Sequence, residues 1–117
     1  MEEMGDRARA LLKKIQQGDE QAASSTLTFD ELVWVVKKYR TLEDAIVAGE
    51  AFLNMPSLTL IPVDRDLLAS ASEIIKRYRL DPRDSIHAAS AIFEKIGEIV
   101  STDKHLDRIK EFRRKPL

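Results

Sequence analysis

The chain has 117 residues, 44% of them hydrophobic, and a formal net charge of −1. That length suits a single domain over residues 1–117 with one buried core. The near-neutral balance excludes a global positive field, so any nucleic-acid binding must rely on local basic patches. Cysteine is absent, which excludes disulfides and thiolate metal sites and makes the cytoplasm the default compartment. No apolar run approaches the roughly 20 residues of a membrane helix, and the acidic opening with Glu2, Glu3 and Asp6 does not read as a secretory signal.

In chain order, residues 6–17 read as a helix, with Ala8, Leu11, Leu12 and Ile15 at helical spacing and Gly18 as its stop. Residues 22–28 are short and rich in Ser and Thr, and read as a strand. Residues 29–40 return to helix, with Leu32, Val33, Val36 and Tyr39 on one side; Trp34 and Tyr39 suit core packing better than base stacking. Thr41 caps a helix that Pro56 ends. Residues 58–63 form the clearest strand, and Asp64 caps the amphipathic helix that follows. Asp81 and Pro82 then open a helix over 81–95, stopped at Gly97, and residues 98–101 form a strand. A short helix over 104–112 precedes a basic tail, Arg113-Arg114-Lys115-Pro116-Leu117. Strands alternating with helices predict βα units around a mainly parallel sheet.

Three acids stand out: Glu31 and Asp103, each after a strand-like run, and Asp84 in the first turn of an apolar helix. Each has a purely structural reading. Thr28 followed by Glu31 fits a capping box, Asp84 in a first turn complements the helix dipole, and Asp103 can cap the helix after it. Capping alone does not bring all three to one end of one sheet. In an open parallel sheet, ligand sites lie at the strands' carboxyl ends, and the three carboxyl groups are expected to converge there. Clustered carboxylates raise one another's pKa unless a cation joins them. Mg²⁺ takes about six hard oxygen ligands, commonly one or two carboxylates plus water and substrate phosphate. Asp107, one turn after Asp103, can face the same place. His87, three residues after Asp84, reads first as a packed, hydrogen-bonded residue.

The stretches Ser25-Thr26-Leu27-Thr28-Phe29-Asp30-Glu31, Leu80-Asp81-Pro82-Arg83-Asp84-Ser85-Ile86-His87-Ala88-Ala89-Ser90-Ala91 and Ile99-Val100-Ser101-Thr102-Asp103-Lys104-His105-Leu106-Asp107 resemble the PIN domain, and among PIN domains the VapC-like toxin ribonucleases. The resemblance implies an α/β three-layer sandwich, a mainly parallel sheet flanked by helices, with a quartet of acids that binds Mg²⁺ or Mn²⁺. Glu31, Asp84 and Asp103 match the second, third and fourth acids, and Asp107 a position often acidic in the family. Ser101 or Thr102 matches the hydroxyl that accompanies the fourth acid, and Thr28 precedes the second. The first acid, with the central first strand that carries it, has no match. Asp6 and Asp19 are poor substitutes, and the expectation is a shortened version of a longer gene product.

The resemblance further implies a metal-dependent endoribonuclease whose activity is lowered by the missing acid. RNA would be steered by side chains such as Arg83 and Lys104, and a homodimer and an antitoxin partner are expected. The alternative is a non-catalytic PIN-like module that keeps the fold and binds RNA or a protein. Neither reading requires a membrane.

Overall fold

A computed structural model of the chain describes residues 10–101 and 103–116. Helix α1 is described over residues 10–16; the earlier part of the predicted helix lies outside the described residues. The chain reverses at Gly18, whose φ of 79° is costly for a residue with a Cβ, and enters strand β1, Ala22–Ser25.

β1 is shorter than predicted, and helix α2, Leu27–Tyr39, begins earlier. Thr26 explains both. Its N–H makes the last bond to β2, to the Ile61 carbonyl, while its own carbonyl already accepts from Phe29 N–H. Helix α3, Leu42–Leu53, is capped as predicted, with Thr41 Oγ1 accepting from Asp44 N–H at 3.0 Å.

α2 and α3 pack closely as a hairpin because Gly49 has no side chain. A Cβ there would lie 2.8 Å from Phe29 Cε2 and 3.0 Å from Val33 Cγ2. Gly49→Ala gains about 1 kcal/mol of helix propensity against about 1–3 kcal/mol for overpacking. It should therefore lower stability by up to about 2 kcal/mol, measured as a shift of the urea midpoint at constant slope.

Strand β2, Leu58–Ile61, leads to helix α4, Arg65–Tyr78, capped by Asp64 Oδ1 on Leu67 N–H at 2.9 Å. Helix α5, Pro82–Phe93, starts with Pro82 in its first turn. Strand β3, Glu98–Val100, follows. The predicted helix over 104–112 is a single 3₁₀ turn, Lys104–Arg108, and the basic tail is a strand, β4, Arg113–Lys115. Tertiary context overrides local propensity here: Arg114 is fixed by Asp107 and by the Ser101 carbonyl, which lets a charged tripeptide pair along β3.

The strands form two parallel pairs, β1 with β2 (Ala22 opposite Leu58) and β3 with β4 (Glu98 opposite Arg113). Among the described residues no strand lies between β1 and β3. The main core packs Ile61, Leu67, Ile74, Leu106, Ile109 and Phe112 around the small residues Ala88, Ala89 and Ala91 of α5. Those small side chains let α5 lie close to α4 and β1. Trp34 and Tyr39 are not core residues: they are 56% and 72% exposed, and the Lys38 ammonium lies 4.8 and 5.4 Å from their ring centres. α2 packs chiefly on α3, which leaves that side of the hairpin uncovered. Among the described residues no helix is long and apolar enough to cross a membrane.

Candidate functional site

The site gathers around the first two turns of α5. Pro82 fixes the helix start, so Asp84 sits in the first turn and His87 one turn on, along one face. The carboxyl end of β1 delivers Ser25 to His87, and the carboxyl end of β3 delivers Asp103 to Asp84. Two strands of different pairs therefore meet the same helix end.

The Asp84 and Asp103 carboxyl groups lie within hydrogen-bonding reach of each other, a bond they form when one proton is held between them. Burial first, then the hydrogen bond to Asp103 and the charges of Asp103 and Asp81, push Asp84 up to about 6, while His87 pulls the other way. Asp103 is held below its ordinary value, chiefly by accepting from Asp84 and then by accepting from His105 N–H. Below about pH 6 the pair therefore holds one proton, and above it both carboxyl groups are ionised. Asp103 does cap the 3₁₀ turn, with Oδ1 2.9 Å from His105 N, so its structural and site roles coexist.

Glu31 is not in a capping box. Thr26, not Thr28, occupies the N-cap position of α2, and its Oγ1 accepts from Val63 N–H instead of capping the helix. Thr28 Oγ1 accepts from Ser24 Oγ at 2.7 Å. The Glu31 carboxylate turns to His87, whose Nε2 lies 2.6 Å from Oε1. The other ring nitrogen, Nδ1, is 3.3 Å from Ser25 Oγ, a hydroxyl that already accepts from Leu27 N–H. Ser25 is 2% exposed. Its hydroxyl hydrogen is then directed to Nδ1, which leaves Nε2–H to donate to Glu31. The sequence reading of His87 as a packed, hydrogen-bonded residue holds, but it does not name Glu31 and Ser25 as the partners. The available signal was its placement one turn from Asp84.

The remaining positions divide. Ser101 Oγ accepts from Asp103 N–H at 3.0 Å and shapes the turn that presents Asp103. Thr102 lies outside the described residues. Asp107 is taken up by Arg114, with contacts of 2.8 and 3.4 Å, so its carboxylate serves the β4 connection. Arg83 and Lys104 are exposed beside Asp84 and Asp103 in the chain. Among the described residues no three His, Asp or Glu side chains stand close enough to hold one ion unaided. The joined acids are a pair, with Glu31 attached through His87.

His87→Gln keeps size and polarity but cannot bridge two partners in the same geometry. If the acids hold Mn²⁺, the change should weaken its binding by about 10–100-fold, the usual effect of losing an outer hydrogen-bond partner. Electron paramagnetic resonance of free Mn²⁺ reads this directly, and Glu31→Gln should make the further loss on changing His87 disappear.

The profile of the PIN domain family matches residues 1–112. Among solved structures, a chain of the crystal structure of VapBC2 from Rickettsia felis, bound to a DNA fragment from their promoter, superposes with a TM-score of 0.64. It is 20% identical, over 95% of this chain and 82% of that one. At that identity the likeness is one of fold. No curated protein matches the chain.

Proposed function

The chain belongs to the PIN domain family, and from that membership we propose that it is a metal-dependent endoribonuclease of the VapC-like toxin type, hydrolysing RNA phosphodiester bonds. The observation that carries this reading is the closeness of the Asp84 and Asp103 carboxyl groups where two parallel strand pairs meet α5. A carboxyl pair held that closely suits a hydrated Mg²⁺ or Mn²⁺, which needs only one or two protein carboxylates besides water and phosphate. When bound, such an ion supplies a nucleophilic water at neutral pH and polarises the scissile phosphate.

The chain's own groups do the rest. Asp84 gives up its proton before the pair can hold a cation. Asp103 stays charged because Asp84 and the His105 amide donate to it. Glu31 is kept next to α5 by His87 and completes the acid set directly or through water. Ser101 fixes the Asp103 turn, and Thr102, outside the described residues, is the neighbouring hydroxyl in sequence. Arg83 and Lys104 flank the acids and steer single-stranded or looped RNA. With only two carboxyl groups joined directly, turnover is slow.

A protein partner fits the α2–α3 hairpin, where Trp34, Tyr39, Ile46 and Val47 are exposed together with Leu42 and Leu53, more apolar surface than isolated exposed residues leave. An antitoxin and a second copy in a homodimer are the partners that VapC-like membership suggests, and the cytoplasm the compartment.

The test is cleavage of a fluorescent single-stranded RNA. Slow cleavage with Mn²⁺ or Mg²⁺, stopped by EDTA and restored by added ion, is the expected result. RNA binding without cleavage at any divalent-ion concentration would favour the non-catalytic module instead.

Proton competition gives a second expected result. Because Asp84 titrates near 6, Mn²⁺ affinity should be flat above that pH. Below it, affinity should fall by about tenfold per unit as the proton returns. Isothermal titration between pH 5 and 8 checks it.

A further inference from the structure

Helix α2 presents two different sides. Phe29 and Val33, at i and i+4, turn to α3, where they meet Gly49. Glu31, Trp34 and Lys38, at i, i+3 and i+7, share the opposite side. Glu31 reaches His87 of α5 from there, so that side of α2 starts at the acids. Beyond Glu31 it runs into the open: Trp34, Val35, Lys38 and Tyr39 are exposed, as are Lys37 and Arg40. The Lys38 ammonium is within cation–π range of both rings, 4.8 Å from the centre of Trp34 and 5.4 Å from that of Tyr39. Among the described residues no carboxylate pairs with Lys37, Lys38 or Arg40.

We propose that this side of α2 is a subsite for single-stranded RNA, with one base stacked on Trp34 and a backbone phosphate at Lys38. The placement rests on the RNA reading of the acids, and adds to it which residues grip the strand beside them. Helical rise sets the distance. Lys38 stands about 10 Å along the axis from Glu31, the span of about three nucleotides at the roughly 3.4 Å spacing of a stacked strand. Trp34 is less than half that way, so the stacked base lies about one or two nucleotides from the acids.

Aromatic rings interleaved with cations suit a nucleic-acid strand. Every base offers a flat π surface whatever its identity, and lysine and arginine heads meet the phosphates. The chain's net charge of −1 gives no general attraction to RNA, so the grip has to come from a local cluster of this kind. Trp34 and Tyr39 stay outside the buried core, which leaves both rings free to stack. Helix α3 differs: it has no Lys or Arg, and its exposed Leu42, Ile46, Val47 and Leu53 are the part of the hairpin that suits a protein. A protein that reached across to α2 would compete with RNA for Trp34.

Trp34 is the only tryptophan, so its fluorescence reads the contact directly. The full chain is titrated in EDTA, where metal-dependent cleavage is off, with an end-labelled single-stranded RNA of about 10 nucleotides. Stacking should quench the Trp34 emission. By anisotropy of the label, Trp34→Ala and Trp34→Leu should bind about tenfold more weakly or worse, while Trp34→Phe, which keeps a ring, should stay within about threefold of the parent. Lys38→Gln should weaken binding and reduce the salt slope by about one. Equal binding by Trp34→Ala or Trp34→Leu, or emission that RNA leaves unchanged, overturns the proposal; cleavage in Mn²⁺ would still leave the nuclease reading standing. Trp34-dependent binding without cleavage in Mn²⁺ supports the subsite and turns against the nuclease. Blue-shifted emission that moves to the red on dilution would mean that a second copy covers Trp34, and overturns the proposal as well.

Discussion

Asp84→Asn should abolish metal-dependent RNA cleavage and at the same time make the metal-free protein more stable at pH 8. Asparagine keeps the shape and a hydrogen bond to Asp103 but removes the ligand charge, and the several kcal/mol that a metal contributes to the reaction go with it. A loss of about 10²–10³-fold in rate follows, at about 1.4 kcal/mol per decade. The stability gain comes from the sign of the Asp84 shift. Its folded pKa, about 6, lies above the ordinary 3.8, so the folded state binds this proton more tightly than the unfolded chain does. That stabilisation is complete below about pH 4, and is lost as the pH rises through 6.

Above pH 6 the ionised pair opposes folding, and asparagine relieves it. The opposite shift of Asp103 makes the net effect a property of the pair. Allowing for solvent screening, a gain of about 1–2 kcal/mol remains. Melting in EDTA at pH 8 and pH 4 reads it: Asp84→Asn should melt several degrees higher at pH 8 and nearly level with the parent at pH 4. Unchanged cleavage would remove Asp84 from the site. A lower melting temperature at pH 8 would show that its carboxylate is structural.

How much of this was legible in the sequence depends on how local the cause is. Asp64 and Thr41 were read as caps, and they are, because capping is decided within a few residues. The strands at 22–25, 58–61 and 98–100 were visible as short runs between amphipathic helices, although each ends earlier than its pattern suggests. β4 was not visible. Its pairing depends on Asp107 and Ser101 capturing Arg114, and no propensity of Arg-Arg-Lys announces that. Thr28 and Glu31 have capping-box spacing, yet the chain places the cap at Thr26, because Thr26 also closes the β1–β2 pair. The Asp84–Asp103 contact was anticipated from strand ends and helix starts. The Glu31–His87–Ser25 bridge was not, since it joins residues more than 50 positions apart through a ring that sequence alone places among alanines.

Leu106→Ala should cost this protein more stability than any single change at the acids. Leu106 is 2% exposed, in the 3₁₀ turn between Asp103 and Asp107, and packs into the cluster with Ile109 and Phe112. Truncating a buried leucine costs about 2–5 kcal/mol, the upper part of that range applying where the surroundings cannot collapse into the space. Here collapse is hindered. The 3₁₀ turn is tied at both ends, by the Asp103 cap and by the Asp107–Arg114 pair that holds β4 to β3. With total stabilities of about 5–15 kcal/mol for domains in general, such a loss brings a domain close to unfolding at physiological temperature. Leu106→Met, which conserves volume, should cost less than about 1.5 kcal/mol. Urea titrations of the two variants separate cavity formation from loss of the leucine's shape. Because the turn presents Asp103, Leu106→Ala should also weaken Mn²⁺ binding under conditions where it is still folded, while Leu106→Met should not. A loss below about 1 kcal/mol for Leu106→Ala would show that the turn lies outside the cooperative core. Asp103 would then be carried on a segment that the rest of the domain does not hold in place.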